Sequence, residues 1–431
     1  MRASVYNVLA PASNGTDSIL YNTASQACAV LSADEAAAYR SCVDGDLPAD
    51  SELLATLEDM GFLVEDPRAE IDFMRYDFEK YRFNDRVFEL YICPTLDCNL
   101  NCIYCFENKR QGKMTLETAD AIYRFVCEQF ENQPYRELKI NWYGGEPLLG
   151  MDIIEYLSEK FIAFSEEKQL EYIATVVTNG VLLSDEVQEK LKECKVWCVM
   201  ATADGIGCMH DRTRPSRDGR PTYDKIMDNV DGLLDKDFAV DFRCVIDGVN
   251  CESCIELAGK FAHRDNVNVV FNQMRNLTDF EEQDPRAAKI QMVSEKEHAR
   301  ICLEEFLNRN PDAEDFEHLL RPLPVHCIAN IDRGYVIDEL GNAYKCTSMP
   351  GTDKFIMFNV NEPASSRKIN QALIAKCNGA NPMDSAECAS CAVYPLCKGG
   401  CSRTRIHEGA NTCSHFKYAI KDYLTAYSAV L

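Results

Sequence analysis

The sequence predicts an α/β fold: six strand–helix units in a parallel sheet that closes, wholly or partly, into a barrel, flanked by a small N-terminal α+β unit and a Cys-rich C-terminal domain. Three observations carry this expectation. From about residue 87, apolar strand-type runs alternate strictly with amphipathic helix-type runs. Residues 1–70 follow a different pattern, with short strands before helices. The 22 cysteines are unevenly spread, with a triplet near position 100 and a dense group in the last quarter.

Residues 1–70 open with VYNVLA, SILYNT and ACAVLS, with Asn14-Gly15 as a turn. Two helical patterns follow, ADEAAAYRSCV and DSELLATLEDM. Asp50 or Ser51 caps the second, which presents Leu53, Leu54 and Leu57 on one face. Residues 71–86, charged and aromatic, read as a connector. In the barrel, residues 87–285, the strands are RVFELYICPT, ELKINWYGG, YIATVVTNG, VWCVMATADG, AVDFRCVID and NVNVVFNQMR. Between them lie TLETADAIYRFVCEQF, MDIIEYLSEKFIAF, DEVQEKLKEC, TYDKIMDNVDGLL and CESCIELAGKFA. Functional residues of such a barrel sit at the C-terminal ends of its strands. The polar motifs CPTLDCNLNCIYC, YGGEP, TNG and TADG stand there. Residues 286–320 read as a helical bridge, and 321–431 as a Cys-, Gly- and Pro-rich segment of little periodicity that metal would stabilise.

At 431 residues, 46% hydrophobic and 26% charged, the composition is that of a globular chain. No apolar run approaches the roughly 20 residues of a membrane span, and the N-terminus lacks the apolar core of a signal peptide. These features predict a cytoplasmic protein with no membrane partner. A net charge of −24 argues against nucleic acid, whose phosphates call for clustered Lys and Arg. Cytosolic thiols stay reduced, so clustered cysteines point to metal rather than to disulfides.

Cys98, Cys102 and Cys105 form C-x3-C-x2-C in a loop directly after a strand. Three thiolates on a short loop bind three corners of a 4Fe–4S cube and leave the fourth iron open to an exogenous ligand. A structural zinc site would want four ligands. Cys93 falls at the strand, where packing is the better reading. With Tyr104 at its aromatic position, the triplet resembles the signature of the radical S-adenosylmethionine (SAM) superfamily, and the resemblance extends over residues 87–280. It implies that Gly144-Gly145-Glu146-Pro147 binds the methionine amino group. Thr202-Ala203-Asp204-Gly205 stands where relatives carry Ser-Ile-Asp-Gly, and Arg214 where they place an arginine on the SAM carboxylate. Tyr104, Gly144, Gly145, Glu146, Thr202 and Arg214 are then the cofactor contacts. The cluster of Cys98, Cys102 and Cys105 is the catalytic group, cleaving SAM to a 5′-deoxyadenosyl radical that takes a hydrogen atom from substrate. Arg243 is a weaker candidate, since an interstrand ion pair would account for it equally. His210 has a structural and a functional reading.

The C-terminal run Cys327-x13-Gly341-x4-Cys346, Cys388-x2-Cys391-x5-Cys397-x3-Cys401 and Cys413 is similar to the SPASM pattern found behind radical SAM barrels of peptide-modifying enzymes. Taken by themselves, the C-x2-C spacings leave structural zinc sites open. The resemblance implies two auxiliary 4Fe–4S clusters, three clusters in all. Cys388, Cys391, Cys397 and Cys413 would hold one, and Cys327, Cys346 and Cys401 the other. Some relatives supply a further ligand where this chain has Arg321. The second cluster would therefore keep an open iron or use His326, Cys377 or a substrate thiolate.

By resemblance the substrate is a ribosomally made precursor peptide with a leader, the product a thioether or other side-chain cross-link, and the electron donor a reductase or a flavodoxin- or ferredoxin-type protein. A sulfatase-type formylglycine-generating enzyme is the alternative. In those relatives an Asp follows the second auxiliary cysteine, whereas Thr347 follows Cys346 here. Residues 1–70 look like a leader-binding element that works by adding the peptide as a strand. The non-enzyme alternative, an iron–sulfur electron carrier or scaffold, gives no reason for Glu146, Thr202 and Arg214.

Overall fold

The short strands of the N-terminus can only bury themselves by being covered on both faces. The computed structural model describes residues 1–44, 51–84, 86–274, 290–324 and 327–431. Contacts divide the chain into one unit of Met1–Phe83, Ser294–Ile331 and Gly379–Leu431 and another of Asn84–Val293 and Asp332–Asn378.

The first unit carries β1 (Arg2–Ala3), β2 (Asn7–Pro11), β3 (Ser18–Asn22), β4 (Cys28–Leu31), α1 (Ala33–Asp44), α2 (Ser51–Asp59) and β5 (Leu63–Val64). β2, β3 and β4 form an antiparallel sheet with β3 in the middle, and β1 pairs with β5. All five residues of β3 are buried because its alternating side chains meet different layers. Leu20 packs with Tyr39, Leu57 and Phe62, against which Leu53 and Leu54 also rest, so the apolar face expected for α2 is the one used. Ile19 and Tyr21 pack with Phe316 and Leu320, in and directly after the helix Ala313–Leu319, and with Tyr423 and Leu424 of the helix Phe416–Tyr427. The Asp50 cap lies outside the described residues.

The expected connector is for the most part helix. α3 spans Pro67–Arg82 because Asp66 accepts the Arg68 N–H at its N-cap and Pro67 fills the first helical position. Its charged residues hid the buried Phe78 and Arg82 from a reading by periodicity. The bridge also proves helical where it is described, as Glu295–Asn308 and Ala313–Leu319, with 286–289 outside the described residues.

In the second unit the six expected strands form as β6 (Val87–Ile92), β7 (Glu137–Trp142), β8 (Glu171–Thr178), β9 (Val196–Thr202), β10 (Ala239–Ile246) and β11 (Val267–Gln273). All are parallel, in the sequential order that short crossovers through amphipathic helices impose. Along β6, Phe88, Leu90 and Ile92 are fully buried, and Phe88 meets Phe125 of the helix Leu116–Asn132. The other face is polar: Asn141 donates to Glu89 and Thr175 donates to Asn141.

One feature of the sheet was not anticipated. β12 (Gly334–Ile337) adds to β6 in parallel, and β13 (Asn342–Tyr344) and β14 (Phe358–Asn359) follow antiparallel, making nine strands. Strands of four, three and two residues are too short to register as a period. Among the described residues no helix is long and apolar enough to cross a membrane.

Candidate functional site

The cysteine triplet leaves the C-terminal end of β6, and its loop is held by neighbouring backbone. The Asn101 and Ile103 N–H groups donate to the carbonyls of Pro215 and Thr213, and Arg217 N–H to that of Asn99, so residues 99–103 lie along 213–217. Asn179, just past β8, donates to Asn99 and also approaches Cys98 Sγ at 3.7 Å. Burial pushes the Cys98 thiol up to about 11 and Cys105 to about 12. Lys109, which donates to the Leu100 carbonyl at 2.9 Å, works against both shifts.

Gly144 and Gly145 are needed for the close approach of the chain's own backbone. A Cβ at Gly144 would stand 2.3 Å from the Thr95 carbonyl oxygen, and one at Gly145 would stand 2.3 Å from that of Asp97. Without side chains, the two residues let Gly145 N–H donate to Thr95 O and Glu146 N–H to Asp97 O, clamping the stem of the cysteine loop. Glu146 is wholly buried and accepts from Thr178 Oγ1 at 2.7 Å, the Asn179 N–H at 2.8 Å and the Leu148 N–H at 3.1 Å. Burial raises its pKa and these three donors oppose the rise. A carboxylate has about four acceptor positions, so one stays available.

A second cluster joins Tyr104 to the end of β9. Its hydroxyl donates to Asp204 Oδ2 at 2.5 Å and accepts from Arg214 Nη1 at 2.8 Å. Asp204, fully buried, also accepts from Thr213 Oγ1 and the Val245 N–H. Arg214 is 7% exposed, and among the described residues its buried Nε has no acceptor. Thr202 ends β9, half-buried and opposite Arg243 in register. Arg243 is exposed and contacts Met200 Sδ rather than a carboxylate. His210 is buried between the Asp204 N–H and Thr222 Oγ1, and burial lowers its pKa to about 3, which favours its structural reading.

Asn179, Thr178 and Asp204 were within motifs noted at strand ends, but their roles in holding the loop were not legible. Glu107, two residues past Cys105, was not singled out at all. It accepts from Tyr143 Oη at 2.7 Å, and burial pushes its pKa up to about 8. A lone Glu among polar loop residues carries no sequence signal. Cys93 packs with Leu96, Val336 and Tyr344, as expected of a packing residue, and Cys346 rests against the same group.

In the first unit, Cys388, Cys391, Cys397 and Cys413 line a single small recess with Glu387, Tyr394, Gly399, Asn411 and Lys417. Four thiols lining one recess are a donor set that could hold a bulky metal cluster. Among the described residues no three His, Cys, Asp or Glu side chains are grouped as for a single ion. Gly400, at φ 65°, has its Cβ position 1.7 Å from the Thr412 carbonyl oxygen, which is how the Cys397–Cys401 turn reaches the strand of chain before Cys413. Cys327 Sγ lies 3.8 Å from Ser402 Oγ, beside Cys401 in sequence. His326 lies outside the described residues, and Cys377 belongs to the second unit, where it is buried.

Residues 92–260 match the family model described as Radical SAM superfamily. The chain carries a radical SAM domain. It is accordingly an enzyme, and radical SAM proteins use a 4Fe–4S cluster and SAM. Among similar proteins, a cysteine-type anaerobic sulfatase-maturating enzyme of Clostridium novyi is 24% identical over 352 residues, 74% of this chain and 91% of that one. The solved structure of native anSMEcpe with bound AdoMet superposes with a TM-score of 0.61 at 20% identity, covering 80% of this chain and all of that one. SuiB of Streptococcus suis superposes with a TM-score of 0.51 at 16% identity, covering 93% and 95%. At such identities the structural likeness speaks for the fold.

The residues of the radical SAM domain fit both groups. Cys98, Cys102 and Cys105 offer three thiols from one loop. The orphaned Nε of Arg214 and the remaining acceptor position of Glu146 suit a carboxylate and an ammonium.

Proposed function

We propose that this enzyme matures a ribosomally made precursor peptide, joining a Cys sulfur or a side-chain carbon to another residue, with three 4Fe–4S clusters. The supporting observation is the four-thiol recess of Cys388, Cys391, Cys397 and Cys413, which supports a second metal centre beyond the radical SAM domain. When bound, the first cluster and SAM supply a 5′-deoxyadenosyl radical that abstracts hydrogen. Cys98, Cys102 and Cys105 hold that cluster, Glu146 takes the SAM ammonium, and Arg214 takes its carboxylate through Nε. Gly144 and Gly145 keep the loop at the right depth, while Tyr104 and Asp204 orient Arg214. Cys327 and Cys401 of the first unit hold part of the remaining cluster. The antiparallel β2–β3–β4 sheet, whose outer strand β4 pairs on one side only, supports a leader peptide docking as an added strand.

A sulfatase-type reading is favoured by the length of the match to the Clostridium novyi enzyme, and anSMEcpe has also been solved with AdoMet and a Cp18Cys peptide. Thr347, in place of an Asp after Cys346, opposes it. Anaerobic co-expression with a short peptide encoded beside the gene separates the two. Loss of two hydrogens per site, with tandem spectra linking two residues, supports the cross-linking reading. An aldehyde at a Cys or Ser overturns it in favour of the other.

Arg214 gives a test that needs no peptide. Arg214→Gln is expected to weaken SAM binding by at least about tenfold, roughly 1.4 kcal/mol. Arg214→Lys should recover only part of this, since the ammonium lacks the guanidinium fork. Equilibrium dialysis of the reconstituted protein measures both, and wild-type affinity in Arg214→Gln would remove Arg214 from the site.

A further inference from the structure

Two of the cations near the four-thiol recess are neutralised. Lys417, which lines it, pairs with Glu387, and Lys398 pairs with Asp77. Arg405 differs. It stands on the π-helical turn Thr404–Glu408, a rare local geometry that recurs at functional sites. One arm of its guanidinium, Nη1, donates to the carbonyl of Gly399, a lining residue of the recess. The other, Nη2, lies 3.4 Å from both Ser402 Oγ and Asn330 Oδ1. Ser402 Oγ is in turn the neighbour of Cys327 Sγ. Among the described residues the buried Nε of Arg405 has no acceptor and no carboxylate is within ion-pair distance. The guanidinium thus spans from the Cys388–Cys413 recess to Cys327 and Cys401. Burial lowers its pKa, while Cys388, Cys327 and Cys401 are among the groups that oppose the fall.

A partly buried cation lacking a carboxylate is costly unless an anion faces it. Thiolate-ligated clusters carry net negative charge that grows on reduction, and nearby charge is one determinant of their potential. We propose that Arg405 is the shared counter-ion of the two auxiliary clusters, raising the reduction potential of both. This rests on the reading of Cys388, Cys391, Cys397 and Cys413, and of Cys327 and Cys401, as cluster ligands. Its chemistry is permanent charge: the guanidinium stabilises the reduced form of each cluster, so removing it makes both harder to reduce.

The test is a redox titration of the full-length three-cluster holoenzyme, followed by electron paramagnetic resonance. The signal that shifts when SAM is added belongs to the Cys98 cluster and serves as the internal control. In Arg405→Gln, both SAM-insensitive signals should appear at lower potential, by about a tenfold change in the reduced-to-oxidised ratio at fixed poise (59 mV for one electron). The control signal should not move, and Arg405→Lys should restore most of the change. A fully loaded Arg405→Gln with both auxiliary potentials at the parent values, or with only one displaced, overturns the proposal. If Arg405→Gln fails to load auxiliary iron, the iron content of Arg405→Lys decides. Full loading supports a charge role, and equal loss overturns it in favour of hydrogen-bond geometry. A parent holding iron for one cluster alone would remove the auxiliary-cluster reading itself, an outcome distinct from unchanged potentials in loaded protein.

Discussion

Replacing Cys98, Cys102 and Cys105 together by Ala should abolish 5′-deoxyadenosine formation, a fall of at least about 10³-fold, and remove roughly a third of the iron. The loop itself should persist. Its position comes from backbone bonds of Asn99, Asn101 and Ile103 to the 213–217 segment and from Gly145 and Glu146 to Thr95 and Asp97, none of which uses a thiol. Iron and sulfide analysis with anaerobic chromatography after dithionite and SAM checks both halves. Retained SAM cleavage would overturn the assignment of the triplet, and loss of all iron would mean that the clusters depend on one another for loading. Cys93→Ala is the contrasting variant. Its side chain is buried among Leu96, Val336 and Tyr344. The expected result is a modest loss of stability of about 1 kcal/mol, with SAM cleavage intact.

The fold was legible where the burial was simple. Strands β6 to β11 bury one whole face under helices, so apolar runs marked them, and their alternation with amphipathic segments imposed parallel order. The C-terminal strands β12 to β14 were not legible, because β12 gains its place by pairing with β6, more than 200 residues earlier, rather than by any local pattern. α3 was missed for a related reason. Its signals are a cap and a proline, while buried Arg82 and Ser4-bonded Glu70 count as polar in any hydropathy reading. The cysteines announced themselves by spacing, and Glu146 and Arg214 by resemblance. What spacing could not supply is the reason for the paired glycines, since their partner is the backbone of residues 95–97, some fifty positions away. Nor could it bring Tyr104, in the loop after β6, to Asp204 and Arg214, both beyond β9 and about 100 residues on, where one hydroxyl joins the three.

Gly145→Ala should then be nearly as damaging as loss of the cysteines, though no ligand atom is touched. The added Cβ would stand 2.3 Å from Asp97 O, 2.6 Å from Leu96 O and 2.8 Å from Asp97 C. These are backbone atoms, so no rotamer change relieves the clash. Either Gly145 recedes, breaking the Gly145–Thr95 and Glu146–Asp97 bonds, or the stem of the loop moves and takes Cys98 with it. Overpacking of this kind costs about 1–3 kcal/mol, and a displacement of about 1 Å at a reacting site costs about 100-fold in rate. The expected result is a folded protein of lower melting temperature that loses the iron of the first cluster and SAM cleavage, while the auxiliary iron stays. Gly259→Ala calibrates the comparison: a Cβ there meets nothing within 4 Å inside the helix Cys251–Phe261, so the replacement should be neutral or stabilising by up to about 1 kcal/mol. If Gly145→Ala kept full iron and SAM cleavage, the clamp between GGEP and the cysteine loop would be dispensable. The two glycines would then need another explanation, such as direct contact with bound SAM.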